Sequence, residues 1–420
     1  MNINTIDKQG YKLHIIENKD FKTILVKTIF WEKLKKEELT LRNMLINNLL
    51  FSSKNYKTQK ELNIKEEELY GVTIGGGNYR KGTHIFSELN LSVIEDKYAE
   101  EGLFQKGLEF FFDILLNPNV TDNSFDEKSF NIIYERLKSD ISREKENPSY
   151  YSLIEYKKLL GKSKPFSASV EGNLPDLEKI NPHNLYNYYN SFFKTNNIDI
   201  FVIGNIKAQE VETAISKLFN PEKRTTTKNE LYITYEKPYT ETEKNSNFSQ
   251  SRLVMGGSLN QLSVYEKKYP ALAYNIILGN SPNSKLFKNV REKNSYAYSI
   301  SSSINRLDGM FYVHAGISKE NYESTKKEIV KEMQNMKQGK FTAQDLKNAK
   351  EVLISLLREI TDYQGAIVDS HFNNLYMDSD PIKDQITNIK NITKEDVIRV
   401  ANKINIDTIF LLKELEQWKK

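Results

Sequence analysis

The sequence predicts an α+β protein made of two homologous domains, each a mostly antiparallel sheet packed with helices on one face. Three observations predict it. A strand pair and a long helix recur in the same order in both halves, and each half closes on a capped helix followed by an apolar strand. The tract between the halves is polar and charged. Self-similarity at a period near half the chain indicates duplicated domains and not a solenoid. Residues 1–220 are therefore expected to form the first domain, 221–244 a linker, and 245–420 the second domain.

In order along the first half, Lys12 to Ile16 and Phe21 to Trp31 alternate as strands, with Asn18-Lys19-Asp20 as a hairpin turn between them. A helix is expected from Leu39 to Phe51. The stretch LYGVTIGGGNYRKGTHIFSELNLSV (69–93) reads as two strands turning near Arg80-Lys81-Gly82, followed by an amphipathic helix from Lys97 to Leu116 that stops before Asn117-Pro118. Helical tracts follow at Phe125 to Lys145 and Ser149 to Leu160. In the second half, SYAYSISSSINRLDGMFYVHAGIS (295–318) gives two strands turning at Asp308-Gly309. Asn321 to Met336 is a helix ending at Gly339, and Ala343 to Leu375 is a long helical tract. The closing stretches 180–204 and 392–412 match as capped helix plus buried strand. Gly75-Gly76-Gly77 falls inside a strand with no helix N-terminus after it, which excludes a phosphate loop and suggests a bulge or a close backbone approach. Tyr186, Tyr188, Tyr189, Phe192 and Phe193 have the helical spacing of core packing.

Composition excludes several classes of function. Hydrophobic residues make up 39% and charged residues 28% of 420, which is globular and not disordered. The 60 Lys+Arg are nearly cancelled by 56 Asp+Glu, and a net charge of +4 is too small a bias to imply a nucleic-acid partner. There is no cysteine, hence no disulfide framework, thiolate metal site or cysteine nucleophile. The start MNINTIDKQGYKL has no apolar signal core and no run approaches ~20 apolar residues, so a cytoplasmic protein without membrane association is expected.

The most informative stretch is IILGNSPNSKLFKNVREKNSYAYSI (276–300). Leu286 to Glu292 reads as a helix and Tyr296 to Ser303 as a strand, so Arg291 and Tyr298 flank a helix-to-strand turn. A guanidinium fork and a phenol close together suit the carbonyls of an extended peptide. Packing and solvation are the competing reading of the same two residues.

With these residues on the page, the chain resembles the pitrilysin, insulinase and mitochondrial processing peptidase family of inverted zinc metallopeptidases. The resemblance covers almost the whole chain. It is carried by the duplicated halves, by SKLFKNVREKNSYAYSI, and by INPHNLYNYY with NNIDIFVIG. It implies the clam-shell half architecture of that family, and it implies that Arg291 and Tyr298 hold a substrate backbone. LYGV and RKGTHIF are similar to the bacterial processing-peptidase-like proteins associated with aminopentanol modification of elongation factor P.

The first half departs from the family where zinc would sit. Catalytic members carry His-x-x-Glu-His on the first long helix, because positions i, i+3 and i+4 share one face and present two imidazoles to zinc beside a general base. Here the helix reads LRNMLINNLLFSSKNY, and anchoring on Phe51 places Met44, Asn47 and Asn48 at those positions. A thioether and two amides do not replace two imidazoles, and an amide is no general base. The third ligand position falls on Glu127, with Glu135 the less favoured choice. His14, His84, His183, His314 and His371 are too scattered to give another ligand set, and His84 and His314 read as ordinary strand residues.

The resemblance therefore implies a non-catalytic subunit with no metal and no cofactor. Its expected partners are a zinc-bearing homologous peptidase subunit and a peptide or unfolded polypeptide substrate. The alternative is a stand-alone homodimeric peptide-binding or scaffold protein without peptidase function.

Overall fold

A computed structural model of the chain describes residues 3–222 and 230–415. The first half contains β1 (Ile3–Lys8), β2 (Tyr11–Glu17), β3 (Thr23–Lys33), α1 (Leu39–Leu49), α2 (Gln59–Glu68), β4 (Thr73–Lys81), β5 (His84–Ile94) and α3 (Leu103–Leu116). It continues with the short pair β6 (Val120–Thr121) and β7 (Ser124–Phe125), then α4 (Glu127–Glu144), α5 (Pro148–Leu160), α6 (Leu174–Leu177), α7 (Pro182–Thr195), β8 (Asn197–Gly204) and α8 (Ala208–Leu218). The second half contains β9 (Thr240–Ser246), β10 (Ser251–Ser258), α9 (Val264–Lys268), α10 (Pro270–Leu278), β11 (Ser299–Asn305), β12 (Met310–Ile317) and α11 (Tyr322–Lys337). It ends with α12 (Ala343–Glu359), α13 (Gln364–Tyr376), α14 (Ile382–Lys390), α15 (Lys394–Lys403) and β13 (Thr408–Glu414).

The expected duplication is visible in the strand order. One sheet runs β1-β2-β8-β3-β5-β4 and the other β11-β12-β10-β13-β9. Read from its opposite edge, the second sheet places β9, β13, β10, β12 and β11 where the first has β2, β8, β3, β5 and β4. In both, the parallel junction falls at the same place, β2 with β8 and β9 with β13, and the other pairs are antiparallel. The closing helices share a cause as well. Asn181 with Asn184 caps α7, satisfying three otherwise orphaned backbone N–H groups, and Thr393 with Asp396 caps α15, satisfying two.

Several expectations are corrected. β2 and β3 do not form a hairpin. β8 lies between them, and the Asn18 turn closes locally, with Asn18 Oδ1 accepting from Asp20 N and Asn18 N donating to Gly204 O. The reason is burial: β8 is buried along almost its whole length, with Asp199 satisfied by His14 and Trp31, and sits as a central strand covered on both faces. Helix α3 begins at Leu103, after a left-handed Gly102 that fixes its N-terminus, and not at Lys97. Gly75-Gly76-Gly77 forms no bulge and pairs in regular register with Asn90, Leu89 and Glu88. The close approach falls within the sheet, since a Cβ on Gly76 would stand 2.2 Å from the Glu88 carbonyl oxygen.

The stretch 221–244, read as a linker, contributes the start of β9, an edge strand whose outward side chains are polar because they face water. Ile233 and Tyr235, in the same stretch, are buried. Residues 223–229 of that tract lie outside the described residues.

The chain divides into two compact units that do not follow the halves of the sequence. Among the described residues, one unit takes 3–142, 169–222 and 363–372, and the other takes 143–168, 230–362 and 373–415. In the first unit, α1, α3, α7 and α8 bury Leu45, Phe111, Phe192 and Ile215 against one face of the sheet, which presents Val26, Phe30, Leu91 and Val202. The alternate residues Trp31, Phe86 and Phe201 form the opposite face, and there Phe372 of α13 packs edge-on against all three rings. Lys27 on this face is buried and paired at 2.8 Å with both Glu88 and Asp369. Gln364 Nε2 donates to the carbonyls of Thr23 and Ile203. In the second unit, α10, α11 and α15 cover one face, with Leu253, Phe311 and Leu411 in the core. Tyr156 and Leu160 of α5, with Phe166, cover Val254, Met310 and Phe410 on the other.

Because Phe372 fills the centre of an aromatic cluster, Phe372→Ala should cost about 3–5 kcal/mol by combining lost transfer energy with a cavity. Urea unfolding followed by tryptophan fluorescence and circular dichroism checks this. A loss below about 1 kcal/mol would show that the α13 segment is not what holds that face.

Candidate functional site

Helix α1 stands where the sequence places the degenerate zinc motif. It is buried on nearly every side, packing on β4, α6 and α7. Met44 is fully buried in the first unit's core. Asn47 and Asn48 turn back on their own helix. Asn47 Nδ2 donates to the Asn43 carbonyl at 2.9 Å, and Asn48 Nδ2 donates to the Met44 carbonyl at 2.8 Å. The Asn48 amide oxygen is buried without a hydrogen-bond partner. None of these three groups is a good zinc ligand. Glu127 is exposed at the first turn of α4, and Glu135 is exposed and pairs with Lys138 at 3.7 Å. Among the described residues, no group of three or more His, Cys, Asp or Glu side chains is placed to hold a metal ion.

What α1 carries instead is a buried polar network that the sequence reading missed. Arg42 is 2% exposed. Its guanidinium gives Nη1 to Glu32 at 2.8 Å, Nε to Ser87 Oγ at 2.7 Å, and Nη2 to the Asn196 side-chain oxygen, while stacking 5.0 Å from the Phe192 ring centroid. Asn196 Nδ2 returns to Glu32 at 3.2 Å. The chain of bonds continues from Ser87 to Asn78 and from Asn78 Nδ2 to Asn43 Oδ1 at 3.0 Å. Asn43 Nδ2 then donates to Glu171 at 2.7 Å. An arginine and an asparagine within the otherwise apolar run LTLRNMLI were the signal available. A helix buried all round has to satisfy such groups internally.

A second buried cluster lies on the opposite face of the sheet. Asp199 binds His14 Nε2 at 2.8 Å and accepts from Trp31 Nε1 at 2.7 Å. His84 is buried beside Trp31, and burial followed by Lys33 pushes its imidazole below the ordinary value. In the second unit, His314 contacts Ser152 Oγ at 3.1 Å, and burial with the nearby Arg252 lowers it to about 4, so it is neutral near pH 7. His14, His84 and His314 are thus neutralised or paired strand residues.

Arg291 lies in a π-helical turn, Phe287–Lys293, anchored by fully buried Val290. The widened turn ends through Ser295, whose φ is +53°, and through Tyr296 N donating to the Val290 carbonyl. Arg291 is exposed, with its guanidinium 4.8 Å from the Phe287 ring centroid. Tyr298 sits one residue ahead of β11, held by its backbone N–H to Gly316 O, and its side chain is 65% exposed between buried Ala297 and Ile300. Both residues belong to the second unit.

The architecture is a duplicated α+β fold whose buried α1 carries a thioether and two amides at Met44, Asn47 and Asn48. The family model described as "Peptidase M16 inactive domain" matches residues 179–353. A Bacillus subtilis (strain 168) protein named probable inactive metalloprotease YmfF is 29% identical over 412 residues, which is 97% of this chain and 96% of that one. A Rickettsia felis protein named uncharacterized zinc protease is 24% identical over 306 residues, 71% of this chain and 72% of its own. The fold matches a conserved protein from Enterococcus faecalis V583, with a TM-score of 0.92 at 24% identity, covering 99% of this chain and 100% of that one. It also matches a peptidase M16 inactive domain from Pseudomonas fluorescens, with a TM-score of 0.79 at 17% identity and 100% of both chains covered. These similarities support the M16 peptidase family, non-catalytic type, for this chain. Among the described residues, no helix is long and apolar enough to cross a membrane.

Two outcomes are expected. Arg42→Leu removes the guanidinium from the buried network, leaving Glu32 with Asn196 at 3.2 Å and Lys35 at 3.4 Å only, and should destabilise the chain by about 3 kcal/mol in urea unfolding. A change within about 0.5 kcal/mol would show the network to be dispensable. Metal analysis after dialysis against trace zinc should find no stoichiometric zinc, and one tightly held ion per chain would contradict the assignment of Met44, Asn47 and Asn48.

Proposed function

We propose that this chain is the catalytically inactive subunit of a heterodimeric zinc metallopeptidase, which binds and positions a peptide for a homologous, zinc-bearing partner. The observation that carries the reading is the exposure of Arg291 and Tyr298 on a rigidly anchored turn. A large phenol kept out of the core one residue before a strand, together with a cation on the π-helical turn that precedes it in the chain, is suited to hydrogen-bonding peptide carbonyls. The loss of ligand chemistry on α1 removes catalysis while leaving this surface in place. The first unit adds support for an extended ligand. β4 ends its sheet, so its outward backbone edge can accept an extended peptide as an added strand.

The test is reconstitution with a zinc-bearing homologue. Removing the guanidinium forfeits charge-assisted hydrogen bonds worth roughly 1.5–3 kcal/mol, so Arg291→Ala should lower peptide cleavage by the pair about ten- to a hundredfold while the melting temperature stays unchanged. Tyr298→Phe keeps the ring and should cost on the order of 1 kcal/mol. Unchanged cleavage by Arg291→Ala, or no association with the homologue, overturns the proposal. The second result favours a homodimeric scaffold.

A further inference from the structure

Arg252, on β10, is half-buried, and among the described residues no carboxylate pairs with it or acts on it. Its Nε is enclosed without a hydrogen-bond partner. Its one side-chain bond runs from Nη1 to Ser299 Oγ at 3.4 Å, longer than an ordinary N–H···O bond, and the remaining Nη hydrogens bond to no described residue. Burial therefore lowers the guanidinium below the ordinary arginine value with no carboxylate to oppose it, although an arginine stays charged. A partly desolvated cation of this kind carries a cost that an anion in contact with it offsets.

The sheet sets the position of the group. Arg252 stands opposite Gly316 of β12, and Gly316 stands opposite Ser299 of the edge strand β11. A Cβ on Gly316 would lie 2.4 Å from Arg252 Nη1 and 2.9 Å from Ser299 Oγ, so the missing side chain is what lets the guanidinium cross β12 toward the open edge. The neighbours there are uncharged. Ser299 and Ser301 are exposed, and His314, paired with Ser301 in the register, is lowered to about 4 by burial and by Arg252 itself. The same rung holds Tyr298, whose backbone N–H donates to the Gly316 carbonyl at 2.9 Å. Arg252, Arg291 and Tyr298 all belong to the second unit.

We propose that Arg252 is the subsite for an acidic side chain of the bound peptide, whose Asp or Glu carboxylate is taken end-on by Nη1 and Nη2 beside the Ser299 hydroxyl. The inference rests on the peptide-binding reading of Arg291 and Tyr298, and it adds the class of peptide: one with a carboxylate close to the residue that Tyr298 holds. A guanidinium presents two parallel N–H donors to a carboxylate, and the enclosed Nε leaves the Nη edge for that contact.

Nuclear magnetic resonance of the full chain tests this. The Arg252 Nε–H signal, assigned by its loss in an Arg252→Gln chain, and the Ser299 backbone amide are followed as three peptides are added. These are a five-residue acetylated peptide amide with a central Glu in alanines, the same peptide with Gln for Glu, and the Gln peptide with a free C-terminal carboxylate. The Glu peptide should move both signals and bind about tenfold more tightly than the other two. Arg252→Gln should bring the Glu and Gln peptides level without lowering the melting temperature, since it removes a cation that no carboxylate offsets. Arg252→Lys, which keeps the charge without the fork, should retain part of the preference. Arg291→Ala should weaken the Glu and Gln peptides by the same factor and leave the preference intact. No movement with the Glu peptide, equal binding of the Gln peptide, a preference that survives Arg252→Gln, or tighter binding of the free C-terminus would each overturn the proposal. Equal binding that Arg291→Ala still weakens would leave the peptide reading standing. A Glu preference lost only in Arg252→Gln, with neither peptide weakened by Arg291→Ala, would support the acid subsite and overturn the role given to Arg291.

Discussion

A strand that is apolar on both pleats has to be covered on both faces, and the organisation of each compact unit follows from that requirement. β8 presents Ile200 and Val202 to one layer and Phe201 to the other, and β13 is buried along most of its length in the same way. The helices of one half of the sequence cover one layer only. The other layer is closed in the first unit by residues 363–372, and in the second unit by α5 and the segment after it. Both covering segments come from the opposite half of the chain. Apolar burial favours the exchange at about 25 cal/mol per Å² removed from water. The buried Lys27 pairs with Asp369 and Glu88, which fixes where the first of these segments docks.

The same pressure accounts for α1. A helix enclosed by sheet and helices cannot leave Arg42 or Asn43 unsatisfied, and the route from Glu32 through Arg42, Ser87 and Asn78 to Asn43 and Glu171 provides partners from three strands and a loop. Asn47 and Asn48 satisfy themselves on the carbonyls one turn back, a bond open to short amide side chains. Helix α1 is thus organised around structural hydrogen bonding. Function, as proposed, moves to exposed groups of the second unit: Arg291 on a π-helical turn that buries Val290, and Tyr298 just ahead of β11.

Much of this was legible in the residues. Periodicity and caps gave the strands and helices of both halves, and the repeated order gave the duplication, because local hydrogen bonding and burial pattern act over a few residues. That Met44, Asn47 and Asn48 are poor zinc ligands follows from residue type alone. Other features were misread where partners are far apart in sequence. The Asn18 turn has hairpin residues, yet β8, some 180 residues on, takes the place beside β2. The polar tract 221–244 looks like a linker, yet its end pairs with β13 as an edge strand, where polar side chains are what the environment favours.

By itself, then, the sequence determined the fold class, the internal repeat and the position of Arg291 and Tyr298 at a helix-to-strand turn. The tertiary structure alone decided which strand lies beside which, which half of the chain covers each second face, and how Arg42 is satisfied. It also decided that Arg252, Gly316 and Ser299 share one rung of the second sheet. The physical reason is range. Propensity, capping and ligand type are fixed by neighbours along the chain, whereas packing, buried charge pairing and cavities are set by groups that only folding brings together.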